Sequence, residues 1–220
     1  MYNITLLCTR HVSGGNCNAA ELHDVIEHIH PEVIFEELSH DNFERSYVKG
    51  TLFTLETNAI KSYLHTHDIR HIPVDTFPVS GRFEEERDYM LDRITRSNKQ
   101  ESFYLRNLIN ENALRADLYG FPYLNSDYND KYFEEYEKLK QETLAIIGDE
   151  KLFQIDREDK EILSNREDAI LDNIYHSSET NPYNQALLFI GSGHRKSIMQ
   201  KIRQYENKTT ITLNWAFYSC

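Results

Sequence analysis

Short apolar runs alternate with amphipathic segments over the first forty residues. Residues 4–8 form an apolar run of the length and type expected for a buried strand. Asn18 and Glu21 have the spacing of a helix N-cap and its capping glutamate. Apolar residues then recur on one helical face, at Leu22, Val25, Ile26 and Ile29. Pro31 ends this helix, and residues 33–35 form a second apolar run. The pattern predicts a βαβ unit with two parallel strands and a right-handed crossover.

The same alternation returns further along the chain. A helical stripe follows Glu56, and residues 71–75 read as a short strand whose Pro73 indicates a sheet edge or a strand start. Residues 186–190 are the most apolar strand candidate, followed by a glycine-bearing turn and a helix. Residues 210–217 alternate like a terminal strand.

The middle of the chain is helical, polar and aromatic. Residues 120–127 contain glycine, proline and polar residues in the pattern of a loop, and a further helix is predicted over about residues 159–175. We therefore predict an α/β fold with a central, largely parallel or mixed sheet flanked by helices. Residues 1–220 form a single domain in this prediction, and residues 82–175 form a helical insertion or lid within it.

Composition narrows the class of protein. The chain has 24 Lys and Arg against 36 Asp and Glu, a formal net charge of −12, which disfavours binding to nucleic acid. No apolar run has the length of a membrane span, and the first residues lack the basic region of a signal peptide. Three cysteines form no disulfide framework. We expect a cytoplasmic protein with no nucleic-acid or membrane partner that acts on a small molecule or peptide, and a homodimer is left open.

Polar residues with catalytic chemistry follow the predicted strands. His11 follows the first strand, Glu36 and Glu37 end the second, Asp75 ends the third and His194 follows the strand at 186–190. Ligands of open α/β sheets bind at the carboxyl ends of the strands. The strand assignments therefore predict that two imidazoles and two or three carboxylates meet at one rim. We expect Glu37 to face the site, because Glu36 points the opposite way on the strand.

This set of groups suits two kinds of hydrolytic chemistry. Imidazole and carboxylate ligands hold a divalent metal whose bound water is nucleophilic, and the same groups activate water by general base catalysis without metal. Backbone N–H groups of Gly191 and Gly193 are candidates for binding an oxyanion or carboxylate at a helix N-terminus. The positive end of that helix favours a neutral His194. His65, His67 and His71 are expected to be surface histidines rather than a ligand set.

Three segments resemble the TraB/Tiki family, which belongs to a superfamily with the erythromycin esterases and ChaN-like proteins. They are CTRHVS at 8–13, PEVIFEEL at 31–38 and GSGH at 191–194. The family has two Gly-x-x-His motifs, a strand-end glutamate and an arginine-containing helix before the second histidine. The resemblance covers both ends of the chain well and the middle poorly.

By position, the resemblance implies that His11 and His194 are the motif histidines and Glu37 the strand-end glutamate. Arg166 and Glu167 correspond to the family's Glu-Arg-Asp motif, and Asp75 to an aspartate that ends a family strand. Two departures stand out. Cys8 replaces the glycine of the first motif, and Asn-Arg-Glu at 165–167 replaces Glu-Arg-Asp. Residues 86–88 have the sequence Glu-Arg-Asp and match that motif better, but they lie too early in the chain.

These observations together predict a hydrolase of peptide, amide or ester bonds. His11, Glu37 and His194 bind a divalent metal such as Mn, Co or Zn, or activate water directly, with Arg166, Glu167 and Asp75 in support. The alternative is a non-catalytic protein that uses the same site to bind a metal, haem or a small anion. A third alternative is a regulatory protein whose site has decayed.

Overall fold

The computed structural model describes residues 2–76, 81–205 and 211–219. A five-stranded sheet in the order β3-β2-β4-β1-β5 lies at its centre, and every pairing in it is parallel. The strands are β1 (Tyr2–Thr9), β2 (Val33–Glu36), β3 (Arg70–Pro73), β4 (Gln185–Gly191) and β5 (Leu213–Phe217). The predicted α/β class is confirmed, and β3 lies at the edge, as its proline indicates.

Helices cover the sheet and form the long middle segment. They are α1 (Ala19–Ile29), α2 (His40–Phe43), α3 (Leu55–Leu64), α4 (Gly81–Arg96), α5 (Gln100–Leu124), α6 (Asp127–Ile147), α7 (Glu150–Thr180) and α8 (Arg195–Tyr205). A π-helical segment, Glu44–Val48, follows α2, and a 3₁₀ turn, Ser192–His194, precedes α8. Asn18 caps α1 by accepting from two backbone N–H groups, as predicted. None of the helices in these ranges is long and apolar enough to span a bilayer.

Each face of the sheet has its own apolar core because side chains alternate along the strands. On one face, Phe35 and Leu188 pack with residues of α7 and α8. On the other face, Ile34 and Leu187 pack with residues of α1 and α3. A third cluster joins the helices of the middle segment, through Met90, Ile94, Leu105, Leu144, Leu152 and Ile155.

The predicted loop at 120–127 is shorter in the structure, where only residues 125 and 126 lie between α5 and α6. Helix α5 continues to Leu124, with a kink at Gly120, whose backbone has φ 63° and ψ −148°. Glycine adopts this conformation without a steric penalty. Pro122 falls in the first turn after the kink, where a missing N–H removes no helical hydrogen bond. Helix α7 is also longer than predicted, at both ends.

Other boundaries differ by a few residues. Asp75 lies two residues beyond β3, and β5 begins at Leu213. Thr210, the first residue of the predicted terminal strand, and Cys220 lie outside the described residues. Cys8 and Cys17 are buried free thiols.

Asn125 attaches the helical segment to the sheet. Strand β5 pairs with β1 only as far as Leu6, so the backbone of Cys8 has no strand partner on that side. The Asn125 side chain takes that place: its Oδ1 accepts from the Cys8 N–H at 2.8 Å, and its Nδ2 donates to the Cys8 carbonyl at 2.9 Å. Asn125 is 4% exposed, so water does not replace these bonds.

We expect Asn125→Ala to lower the free energy of unfolding by about 3 kcal/mol, because it leaves buried backbone groups of Cys8 without partners. Chemical denaturation of the variant and the wild type measures the difference. Asn110→Ala is the control, since Asn110 is exposed on α5. Equal losses in the two variants would contradict the proposed role of Asn125.

Candidate functional site

Glu37, immediately after β2, receives contacts from three directions. Its Oε2 accepts from the Gly191 N–H at 2.6 Å. Its Oε1 accepts from Arg166 Nη2 at 2.9 Å and lies 3.3 Å from His194 Nε2. The parallel strands β2 and β4 are neighbours, which brings Glu37 and the Gly191 turn to one edge of the sheet. The glutamate and second histidine predicted from the sequence are therefore in direct contact.

Arg166 on α7 links Glu37 to a second carboxylate. Arg166 Nη2 donates to Asp75 Oδ2 at 2.7 Å, and Arg166 Nε donates to Asp75 Oδ1 at 3.3 Å. This is a two-point contact that suits the planar guanidinium. Both carboxylates are almost completely buried; Arg166 compensates the charge of Asp75 and, together with His194, that of Glu37.

His194 lies between two carboxylates. Its Nδ1 is 2.8 Å from Glu167 Oε1, and its Nε2 faces Glu37. Ser197 on α8 donates to the other oxygen of Glu167 at 2.5 Å. Helix α7 therefore supplies two consecutive site residues, Arg166 and Glu167, as the motif resemblance implied by position.

These contacts set the protonation of the buried groups. Burial alone would lower the pKa of His194, but the hydrogen bonds with Glu167 and Glu37 outweigh it and raise that pKa to about 9. Burial would raise the pKa of Glu37, but the hydrogen bond and charge of His194, with the charges of His11 and Arg166, lower it to about 2. The neutral His194 predicted from the helix terminus is therefore wrong, because two carboxylates outweigh the helix dipole.

His11 lies at the exposed edge of the same site. Its side chain is 61% exposed, and its Nδ1 lies 3.5 Å from Glu56 Oε1. The hydrogen bond and charge of Glu56, together with the charge of Glu37, raise the pKa of His11 to about 9. His11 and Glu37 line the same small pocket, and His194 contacts Glu37, so the two imidazole rings lie at the same end of the sheet.

Glu36 points away from Glu37, as expected for consecutive strand residues. Its Oε2 accepts from the Tyr47 hydroxyl at 2.6 Å, and its Oε1 lies 2.8 Å from His71 Nδ1. Burial raises the pKa of Glu36. His71 is thus paired with a carboxylate, whereas His67 stacks on the Tyr63 ring with centroids 4.0 Å apart.

Sequence reasoning missed Glu56 and Thr9. Glu56 lies in the first turn of α3, where its Oε1 accepts from the Thr9 hydroxyl at 2.7 Å. Its burial at 8% exposure is unusual for a glutamate, but the sequence marks it only as a residue at the start of a helix. A small pocket lies between these groups, lined by Thr9, His11, Glu36, Glu37, Leu38, Thr54, Glu56, Thr57, Phe189 and Ile190.

The two glycines predicted to bind a ligand have protein partners. The Gly191 N–H donates to Glu37, so it serves a carboxylate of the protein itself. A Cβ at Gly193 would lie 3.3 Å from the Phe133 ring, so this glycine allows α6 to approach the turn. Ligand binding by either glycine stays a prediction.

The three predicted metal ligands do not form an open donor set. Gly191 and Arg166 occupy the two oxygens of Glu37, and Glu167 and Glu37 face the two ring nitrogens of His194. Across residues 2–76, 81–205 and 211–219, His, Cys, Asp and Glu form no group of three arranged to hold a metal ion. As arranged, these residues do not fit a metal, and a divalent ion stays a prediction.

No family model, curated protein or solved structure matches the chain. The TraB/Tiki resemblance therefore rests on the motif residues alone.

We expect Arg166→Met to lower the free energy of unfolding by about 3–5 kcal/mol, because it leaves the buried carboxylate of Asp75 without its cation and removes one of the two cations beside Glu37. Denaturant titrations check this. Arg157→Met is the matched control on α7, because the Arg157 side chain is 65% exposed and its ion pair with Glu150 lies at the surface. If Arg157→Met lowers the free energy of unfolding as much as Arg166→Met does, then Arg166 does not have the proposed role of compensating these buried carboxylates.

The raised pKa of His194 gives stability that depends on pH. Since the folded pKa is about 9 and the unfolded value 6.5, its contribution is complete below pH 6.5 and is lost as the pH rises through 9. We expect the stability difference between wild type and His194→Gln to be larger at pH 6 than at pH 9.5. Unfolding curves at both pH values measure it, with His28→Gln, exposed on α1, as the control. A difference independent of pH would contradict the protonated state.

Proposed function

We propose that this protein is a hydrolase of peptide, amide or ester bonds. The observation that carries the proposal is the His11–Glu56 pair, an exposed imidazole 3.5 Å from a buried carboxylate, beside a small pocket at the strand ends. A positioned imidazole oriented by a carboxylate is a common general acid and base in acyl transfer. The clustering of the other motif residues around Glu37 supports the same site.

In this proposal His11 transfers the proton. Glu56 faces Nδ1, which leaves Nε2 as the ring nitrogen available to the reaction. Neutral His11 accepts a proton at Nε2 from a water molecule as the water oxygen attacks the carbonyl carbon. The tetrahedral intermediate then collapses, and the leaving oxygen or nitrogen takes that proton from Nε2. No step requires a further reactant.

The network around Glu37 has a supporting role in this proposal. Its members are buried and saturated with partners, so they hold the strand ends in place rather than meet the substrate. The negative charge of Glu37 also acts on His11, because it contributes to the raised pKa of that imidazole. Arg166, Glu167 and Asp75 are therefore positioning residues, as is His194.

Non-catalytic ligand binding is the competing function. The pocket lining contains three carboxylates and one cationic side chain among the described residues, which disfavours a small anion. Among the described residues, no group of three His, Cys, Asp or Glu side chains is arranged to hold a metal ion in this site. Ligand binding without turnover in the assays below would favour this alternative over the hydrolase.

We expect His11→Gln to reduce hydrolysis by about 100-fold or more, the usual contribution of a general acid or base. A panel of p-nitroanilide and p-nitrophenyl ester substrates measures turnover, with His28→Gln as the control. Because the base form of His11 increases as the pH approaches its pKa of about 9, we expect wild-type kcat/KM to rise from pH 7 to 9. Equal activity of His11→Gln and wild type would rule out this mechanism.

Metal dependence is tested on the same substrates. We expect turnover to survive treatment with EDTA, because the proposed proton transfer uses His11 and Glu56 alone. Loss of activity with EDTA and its recovery with Mn²⁺, Co²⁺ or Zn²⁺ would instead support the metal-assisted reaction predicted from the sequence.

A further inference from the structure

The pocket beside His11 is small and mostly apolar. Its volume is about 20 Å³, which is room for a group of about the size of one water molecule or one methyl group. Leu38, Phe189 and Ile190 are among the residues that line it, and carbon atoms form most of its surface. The pocket therefore suits the short apolar tip of a ligand rather than a long chain or a charged head.

The carboxylates of the lining offer little to such a ligand. Both oxygens of Glu36 and both oxygens of Glu37 already have protein partners. Glu56 Oε1 accepts from the Thr9 hydroxyl, and Glu56 Oε2 is buried below the surface that a ligand touches. A polar group that enters the pocket would lose its water without gaining a hydrogen bond in exchange, which is costly.

The threonine hydroxyls of the lining are also engaged within the protein. Thr54 and Thr57 form the capping box of α3, in which each side-chain oxygen accepts from the backbone N–H of the other residue. The hydroxyl of Thr9 donates to Glu56. The polar atoms of the lining thus serve the protein itself, and the binding energy that the pocket provides is that of burying carbon.

The position of His11 decides which part of a substrate this apolar tip is. His11 lines the pocket, and its side chain is 61% exposed, so the ring lies between the pocket and solvent. In an acetyl group the methyl is bonded directly to the carbonyl carbon. A methyl group in the pocket therefore brings that carbonyl next to the ring, whereas a longer acyl chain requires space for further carbon atoms that the pocket does not have.

We propose that this pocket binds the methyl group of an acetyl, and that the substrates are acetyl esters or acetyl amides. The assignment of the acyl group rests on the proposed function, which places the scissile carbonyl beside His11. Leu38 is the specificity-determining residue that is most accessible to substitution, because it is only partly buried, whereas Phe189 and Ile190 belong to the apolar cores.

The length of the acyl chain tests the pocket in turnover. We expect wild-type kcat/KM for p-nitrophenyl acetate to exceed that for p-nitrophenyl butyrate at least about tenfold, because one methylene group in a tight apolar pocket changes the rate by about 10- to 200-fold. Each rate is corrected for spontaneous hydrolysis of the ester and for the rate of His11→Gln, so that only the reaction at His11 is compared.

Leu38→Ala enlarges the pocket without removing a hydrogen-bonding group. We expect this variant to lower the ratio of acetate to butyrate cleavage at least about tenfold. Leu114→Ala is the matched control, because the Leu114 side chain is exposed on α5, and it is expected to retain the wild-type ratio. A wild-type ratio in Leu38→Ala that is folded by circular dichroism would overturn the acetyl pocket.

Acetamide and butyramide test binding without turnover, and this comparison needs only the wild type. The two ligands carry the same amide and differ by two methylene groups. We expect acetamide at millimolar concentration to shift the ring-proton NMR signal of His11, which His11→Gln identifies by its loss, and butyramide to shift it at least about tenfold less. Equal shifts with both ligands, or a shift with neither, would overturn the acetyl pocket.

The two experiments together separate this inference from the hydrolase proposal. Selective acetamide binding without cleavage of any ester would support the acetyl pocket and reject the hydrolase. Cleavage of both esters that depends on His11 and has equal kcat/KM would support the hydrolase and reject the acetyl pocket.

Discussion

The Glu37 carboxylate holds the rim of the sheet together. Its two oxygens contact a backbone N–H at the end of β4, a guanidinium on α7 and an imidazole at the start of α8. A buried carboxylate is stable only when such partners compensate its charge. Elements that are far apart in the chain must therefore meet at this point, and the positions of Arg166 and His194 follow from that requirement.

This constraint divides the site into a closed half and an open half. Asp75, Glu167 and His194 are buried and satisfied by one another and by Arg166 and Ser197. His11 and Glu56 lie at the open half, where the imidazole of His11 is exposed. In the proposed function the open half binds and reacts with the substrate, while the closed half fixes its geometry.

The helical middle segment belongs to the site as well as covering the sheet. Helix α7 supplies Arg166 and Glu167, and Asn125 satisfies the backbone of Cys8 beyond the end of β5. Both contacts cross from the helices to the strand ends. A change in the packing of this segment is therefore expected to alter the site directly.

The sequence by itself determined the strands, the capped first helix and the residues at the strand ends, because local periodicity and short-range capping depend on neighbouring residues. It also indicated Glu37 and His194, which lie at strand ends. The sequence did not predict the kink in α5 at Gly120, because glycine and proline are typical both of loops and of bent helices. Glu56, Asn125 and the charged state of His194 depend on contacts between distant segments. Only the tertiary structure decided these, because burial and charge compensation arise when those segments meet.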